Sequence, residues 1–275
     1  MNEPDRYAVI GNPIAHSKSP DIHAKFAAQT GQHLVYERIL APLDGFVDAV
    51  RDFMRSGGKG LNVTVPFKLE AHALATSLSE RAEAAGAVNT LKFDGDIILG
   101  DNTDGIGLVT DIVGNAGIAI AGKKVLLLGA GGAARGVVLP ILRERPASLM
   151  IANRTFTRAV DLVELFASQG CVDACEFDAL EEPFDIVINA TSASLGDDVP
   201  PIDPVVFGTG AFAYDMMYGA APTAFMRFAA DHGAHVRDGL GMLVEQAAES
   251  FFVWRGVRPD TRQVFADLRA TLQAK

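Results

Sequence analysis

Five residues of strand character, Lys124-Val125-Leu126-Leu127-Leu128, run directly into Gly129-Ala130-Gly131-Gly132-Ala133-Ala134-Arg135-Gly136. No other feature constrains the fold as much. A glycine-rich turn between a buried strand and a helix is where a parallel α/β sheet presents backbone N–H groups to an anion. Gly129 suits the tight turn, and Gly131 leaves room for a pyrophosphate to approach the backbone. Ala134 and Gly136 let the helix lie close to the sheet, and Ala130, Gly132 and Ala133 are cofactor-binding candidates with the other residues of the turn. The motif predicts a doubly wound unit that binds a dinucleotide.

The flanking pattern agrees. A helix from about Ala133 to Arg143 precedes a strand at Leu149 to Asn153, a helix at Thr157 to Ser168, and strands at Phe184 to Ala190 and Ala211 to Met216. The N-terminal part alternates in the same way. Tyr7 to Gly11, Val35 to Leu40 and Gly60 to Val65 read as strands, and a hairpin turns at Asp94-Gly95. Ser19 is placed to cap the first helix, with Pro20 at its first position. After Gly239 a long helix carries an apolar stripe of Leu243, Val244, Ala247, Ala248, Phe251 and Phe252, and a last helix follows from about Thr261. The predicted fold class is α/β, with two α/β domains. Residues 1–103 and 240–275 form one, with a mostly parallel sheet; residues 104–239 form an inserted Rossmann-type domain.

The 275 residues carry a net charge of −10, which disfavours nucleic acid and anionic membranes as partners. A small-molecule substrate is the expected partner, met by local positive groups. Cys171 and Cys175 match no zinc spacing and read as reduced thiols in a cytoplasmic protein. The N-terminus lacks the basic start and apolar run of a signal peptide.

The next strand end selects the cofactor. An enzyme that prefers NAD places Asp or Glu about 20 residues past the glycines, on the ribose hydroxyls. Here stand Asn153-Arg154-Thr155, with Arg158 one turn later. An arginine pairs with a 2′-phosphate that a carboxylate would repel, so NADP is expected. Thr191, in Asn189-Ala190-Thr191-Ser192, is placed to touch the bound dinucleotide.

Three segments of the first domain are rich in short polar groups. In Asn12 to Pro20, Ser17 and Ser19 sit beside a helix N-terminus, where two hydroxyls can hold a carboxylate. In Asn62-Val63-Thr64-Val65-Pro66-Phe67-Lys68, alternation puts Asn62 and Thr64 on one face and the two valines on the other. Lys68 then lies in the first turn of a helix whose dipole opposes its charge by about 0.3–1 kcal/mol. That field favours the neutral amine a general base needs. In Gly100-Asp101-Asn102-Thr103-Asp104-Gly105, Asp104 reads equally as a helix cap or an active carboxylate. Asn89 reads as a structural amide.

Taken in order, GNPIAHSKSP, NVTVPFK, GAVNT, GDNTDG, GAGGAARG, NRT, NATS, YDMMY and DGLGMLVEQA resemble the shikimate dehydrogenase family over nearly the whole chain. The resemblance implies an oxidoreductase that reduces 3-dehydroshikimate to shikimate with NADP, in the pathway to chorismate and the aromatic amino acids. It implies that residues 1–103 and 240–275 bind substrate and residues 104–239 bind NADP. Ser17, Ser19 and Tyr218 would hold the substrate carboxylate; Thr64, Lys68, Asn89, Asp104 and Gln246 would hold the ring hydroxyls; Lys68 and Asp104 would be the catalytic pair. Met216, Gly239 and Met242 would border the nicotinamide, with Glu80 a further cofactor contact. Met242 and Gln246 are four apart and share a helix face. No metal is called for, because the lysine supplies the positive charge. The state expected is a monomer or homodimer. The rival readings are a quinate/shikimate dehydrogenase that uses NAD and a non-catalytic NADP-binding sensor.

Overall fold

The structure is a computed structural model that describes residues 3–191 and 193–274. Its contacts divide the chain into two compact units, Met1–Asp104 with Val244–Val264 and Gly105–Leu243 with Phe265–Lys275.

The first unit is built on β1 (Asp5–Gly11), β2 (Leu34–Leu40), β3 (Gly58–Val63), β4 (Ser77–Leu78), β5 (Thr90–Asp94) and β6 (Ile97–Asp101). Their order is β2-β1-β3-β5-β6-β4. β1 pairs in parallel with β2 and β3, and β4 in parallel with β6, while β5 runs antiparallel to both its neighbours. Helices α1 (Ser19–Thr30), α2 (Phe46–Arg55), α3 (Lys68–Leu74) and α4 (Glu80–Ala85) fill the connections. One core gathers Ile10, Phe46, Val50, Leu61, Phe67 and Leu91. Elsewhere in the unit Trp254 donates its indole N–H to the Leu91 carbonyl at 2.9 Å. A Cβ on Gly60 would lie 2.5 Å from that indole nitrogen, so only glycine lets the ring seat on the sheet.

The second unit opens with α5 (Asp104–Val109), whose helix continues as a π turn over Thr110–Asn115. There follow β7 (Lys124–Leu128), α6 (Gly132–Arg143), β8 (Ser148–Ala152), α7 (Phe156–Phe166), β9 (Val172–Cys175), β10 (Phe184–Asn189), β11 (Phe207–Asp215), α8 (Ala224–Asp231) and β12 (His235–Asp238). All six strands are parallel, in the order β12-β11-β10-β7-β8-β9. This is the doubly wound order, with its switch point between β7 and β10. Helix α9 (Leu240–Arg255) begins in this unit and from Val244 belongs to the first; α10 (Arg262–Gln273) closes the chain.

Several expectations need correction. The last helix, placed by sequence with the first domain, groups with the second unit from Phe265 onward. The guanidiniums of Arg237 and Arg269 each lie 5.7 Å from the Phe265 ring centre, and Arg269 bonds Asp238 and the Gly219 carbonyl. Ser19 is not a side-chain cap: it is the first residue of α1, and its N–H donates to Ser17 Oγ at 3.3 Å. β3 ends at Val63, so Val63 is buried while Val65 is 66% exposed; the two valines share no buried face. Phe252 falls outside the buried stripe of α9, whereas Glu245, Glu249 and Ser250 are buried.

Candidate active site

In the first unit the polar segments converge. Lys68 is the first residue of α3, and its Nζ lies 2.5 Å from Asp104 Oδ2, both side chains largely buried. The other carboxylate oxygen, Oδ1, accepts from Asn89 Nδ2 at 2.8 Å. Asp104 is therefore not spent as a helix cap. Its own N–H is bonded instead by Asn102 Oδ1 at 3.2 Å. Asn89 also approaches Gln246 Oε1 at 3.5 Å. Five of the candidate residues thus fall into two adjoining groups: Lys68, Asp104, Asn89 and Gln246 bonded together, and Thr64 at the turn that leads from β3 to Lys68.

Thr64 packs against Gly11, where a Cβ would meet its methyl at 2.5 Å, and the Thr64 hydroxyl has no partner among the described residues. Ser17 and Ser19 meet through their hydroxyls at 3.2 Å. Arg38 anchors the Ser17 carbonyl with two bonds, at 2.6 and 3.1 Å. Tyr36 lies beside Ser19 and donates to Asn62 Oδ1 at 2.7 Å. Burial pushes the Tyr36 phenol well above its ordinary value, so it stays a neutral donor.

Behind the pair lies a network that the sequence reading missed. Asn62, Thr90, Thr103 and Ser250 are buried and bonded to one another or to Asn89. The alternation that singled out Asn62 and Thr64 was the available signal for Asn62. Ser250 had none, because it reads as an ordinary helix residue. His23 stacks on Tyr36 with ring centres 4.3 Å apart, and neither of its nitrogens has a partner among the described residues. Burial pushes its pKa down to about 3, with the nearby Asn62 side chain opposing.

The second unit gathers the cofactor candidates at one edge. Because its strands are parallel, Gly129, Asn153, Ala190, Met216 and Gly239 all follow carboxyl ends of strands. Gly129 has φ +106°, a conformation that favours glycine. Thr191 is brought beside it, 3.3 Å from the position of an added Cβ, and its hydroxyl bonds Asn189 Oδ1 at 2.7 Å. Ser192 lies outside the described residues. Added Cβ atoms on Gly131 and Gly132 would meet nothing, so the turn is open on that side at the start of α6. The carbonyl of Gly136 lies only 2.5 Å from where a Cβ of Gly105 would stand, so α6 sits tightly on α5.

Arg154 and Arg158 are exposed and form no ion pair among the described residues. Asn153 turns its amide onto the Thr155 carbonyl at 2.9 Å, shaping the loop that carries Arg154. These features fit a phosphorylated dinucleotide: an open glycine turn, a helix N-terminus and two available guanidiniums. Gly239 touches the Met216 carbonyl so closely that no Cβ fits between them. Met242 is buried. Tyr218 has its phenol raised by burial and by the charge of Asp238. Glu80, the exposed first residue of α4, is the one cofactor candidate carried by the first unit.

Known families match this layout. Residues 9–91 match the shikimate dehydrogenase substrate binding domain, residues 111–196 match shikimate / quinate 5-dehydrogenase, and residues 239–264 match the shikimate 5′-dehydrogenase C-terminal domain. A shikimate dehydrogenase (NADP(+)) of Janthinobacterium sp. (strain Marseille) is 71% identical over 268 residues, covering 98% of each chain. The chain belongs to the shikimate dehydrogenase family. Among solved members, shikimate 5-dehydrogenase of Thermus thermophilus in complex with NADP(H) and shikimate superposes with a TM-score of 0.87. It is 33% identical and covers 98% of this chain and 100% of its own. Shikimate 5-dehydrogenase of Listeria monocytogenes, in complex with shikimate and NAD, is 26% identical with a TM-score of 0.88, covering 96% of both chains. Family members have therefore been solved with either dinucleotide, which leaves cofactor choice to local residues.

Proposed function

We propose that this protein catalyses the reversible NADP-dependent reduction of 3-dehydroshikimate to shikimate, a step towards chorismate and the aromatic amino acids. The observation that carries the reading is the Lys68–Asp104 pair, held from the far side by Asn89. A non-catalytic NADP sensor has no use for an ion pair braced in this way.

When bound, NADPH supplies a hydride to the substrate carbonyl carbon. The chain supplies the rest. As negative charge develops on the carbonyl oxygen, Lys68 Nζ donates a proton to it; in the oxidising direction it takes that proton back. Asp104 Oδ2 aims the ammonium group, and Asn89 keeps the carboxylate from rotating away. General acid–base assistance of this kind contributes roughly 10²–10⁴-fold. Ser17 and Ser19 hold the substrate carboxylate, with Tyr218 a further contact; Thr64, Asn89 and Gln246 hold ring hydroxyls. Gly129 to Ala133 receive the pyrophosphate, and Thr191 lies next to it. Arg154 and Arg158, with Asn153 and Thr155, hold the 2′-phosphate. Met216, Gly239 and Met242 line the nicotinamide side, and Glu80 is a further cofactor contact. The free thiols Cys171 and Cys175 suit a reducing cytoplasm, and a monomer or homodimer suffices for this chemistry.

One assay decides: cofactor absorbance followed with shikimate or quinate against NADP or NAD. Turnover of shikimate with NADP at the highest kcat/KM of the four combinations is expected. A preference for quinate with NAD would replace this reading with the dual-substrate one, and no turnover in any arm would leave the sensor.

A further inference from the structure

The proposed reaction needs the Asp104 carboxylate held at one angle towards Lys68. The amide that holds it, Asn89, is itself held by hydroxyl groups. Its orientation is forced. The Thr103 N–H can only donate, and it lies 2.9 Å from Asn89 Oδ1, so Nδ2 must face Asp104. Thr90 Oγ1 reaches the same Oδ1 at 2.9 Å, and Thr103 Oγ1 accepts from Asn89 Nδ2 at 3.0 Å.

Both threonine hydroxyls meet one further atom. Ser250 Oγ lies 2.8 Å from Thr90 Oγ1 and 3.1 Å from Thr103 Oγ1. On another side it accepts from Asn62 Nδ2 at 2.9 Å. That amide is also fixed, because Nδ2 faces the Asn89 carbonyl at 3.3 Å, which can only accept. Ser250 has an i−4 carbonyl of its own as well, Gln246 O at 3.0 Å. A helix serine bonded to that carbonyl alone would be ordinary. Here β3, β5 and the segment after β6 all bring polar groups to a hydroxyl that is fully buried. Water cannot replace a partner lost there.

We propose that Ser250 is a positioning residue for the Lys68–Asp104 pair, acting through Thr103 and Asn89. The inference rests on the reaction read above. Ser250 touches no reacting atom. Its hydroxyl sets where the two threonines stand, and they set the angle of Asn89.

The test compares kcat and both KM values in wild type, Ser250→Ala, Ser250→Cys, Thr103→Val and the Ser250→Ala/Thr103→Val double variant. Cysteine fills the serine's volume with a poor hydrogen-bonding group. Turnover is expected to fall roughly five- to tenfold in both Ser250 variants, the size of one net hydrogen bond, with KM for NADP unchanged. The double variant should lose no more than the larger single loss, because both act along one chain. Full turnover in Ser250→Cys would make the role packing alone and overturn the proposal, as would multiplied losses in the double variant. Should Ser250→Ala fail to fold, Ser250→Cys against Thr103→Val decides in the same way. A wild type that is inactive on shikimate sinks the reading of the reaction and this inference together. An active wild type with unaffected Ser250 variants sinks this inference only.

Discussion

Lys68 and Asp104 stand 36 positions apart in the chain, yet their charged atoms meet at 2.5 Å. The lysine opens a helix, where the dipole works against its charge, and the carboxylate offsets that field at close range. A proton donor needs such a partner to stay aimed, and the pairing yields the most direct prediction. Lys68→Ala should lower kcat by roughly 10²–10⁴-fold while the shikimate dissociation constant changes far less. Absorbance kinetics and calorimetry measure the two quantities. Near-normal turnover in the variant would remove Lys68 from the chemistry.

Arg154 is exposed and free of ion pairs among the described residues, so its charge is available to a ligand. Charge-assisted bonds of about 1.5–3 kcal/mol correspond to roughly 10- to 150-fold in affinity. Arg154→Ala should raise KM for NADP by a factor in that range, leave KM for shikimate nearly unchanged, and narrow the preference over NAD. Steady-state kinetics with both cofactors tests this, and an equal rise in both substrates' KM would refute the 2′-phosphate contact.

His23 makes the first unit sensitive to mild acid. Its folded pKa is held at about 3 by burial, whereas in the unfolded chain it titrates near 6.5. The unfolded state therefore binds a proton first, and stability present above pH 6.5 is lost as the pH falls towards the folded value. At pH 5 the loss is about 2 kcal/mol relative to pH 7.5. His23→Phe keeps the ring stack on Tyr36 and should abolish this part of the slope. Urea unfolding at the two pH values measures it; the same slope in wild type and variant would show that His23 is not its source.

Arg81 grips Asp101 through two bonds of 2.7 Å and reaches Glu249 at 2.9 Å. Burial alone would raise the Asp101 carboxyl, but the hydrogen bonds and charge of Arg81, together with the Ser79 hydroxyl and the Asn102 N–H, more than offset it and hold the group below its usual range. Its contribution to stability is present above about pH 4 and lost as the pH falls through the lowered folded value, a more acidic window than that of His23. Arg81→Met leaves the buried Asp101 carboxylate without its cation, while Glu249 keeps Arg258 at 2.6 Å, and should cost about 3–5 kcal/mol. Denaturant midpoints report the loss, and a variant as stable as wild type would contradict it.

What could be read from the sequence was what local pattern encodes. The glycine turn announced its strand and helix, and Arg154 stands just past the end of β8, where the strand pattern puts it. Lys68 could be placed in a helical first turn because Pro66 marks the approach to a helix, although β3 already ends at Val63. Other features depend on residues far apart in the chain. β12 carries Arg237 within four residues and looks polar, yet that arginine pairs with the fully buried Asp111, 126 positions away. Ser19 looked like a cap because serine before proline usually is one, but Ser17 folds over its N–H instead. Ser250 meets Asn62 across 188 positions, and helical periodicity says nothing about such a meeting.

The first unit is discontinuous in the chain, and that has a consequence for its synthesis on the ribosome. Its sheet is complete by Asp101, but Ser250, Trp254 and Arg255, which bond Asn62, the Leu91 carbonyl and Asp5, emerge only after the whole of Gly105–Leu243. Until then the Asn62 amide lacks its Ser250 partner and the seat over Gly60 is empty. The second unit has most of its residues in hand earlier. The residues that bring Lys68 and Asp104 together are made early, but the hydroxyl proposed to hold them in line arrives late, so full alignment of the pair trails the appearance of its two central side chains by the synthesis of about half the chain.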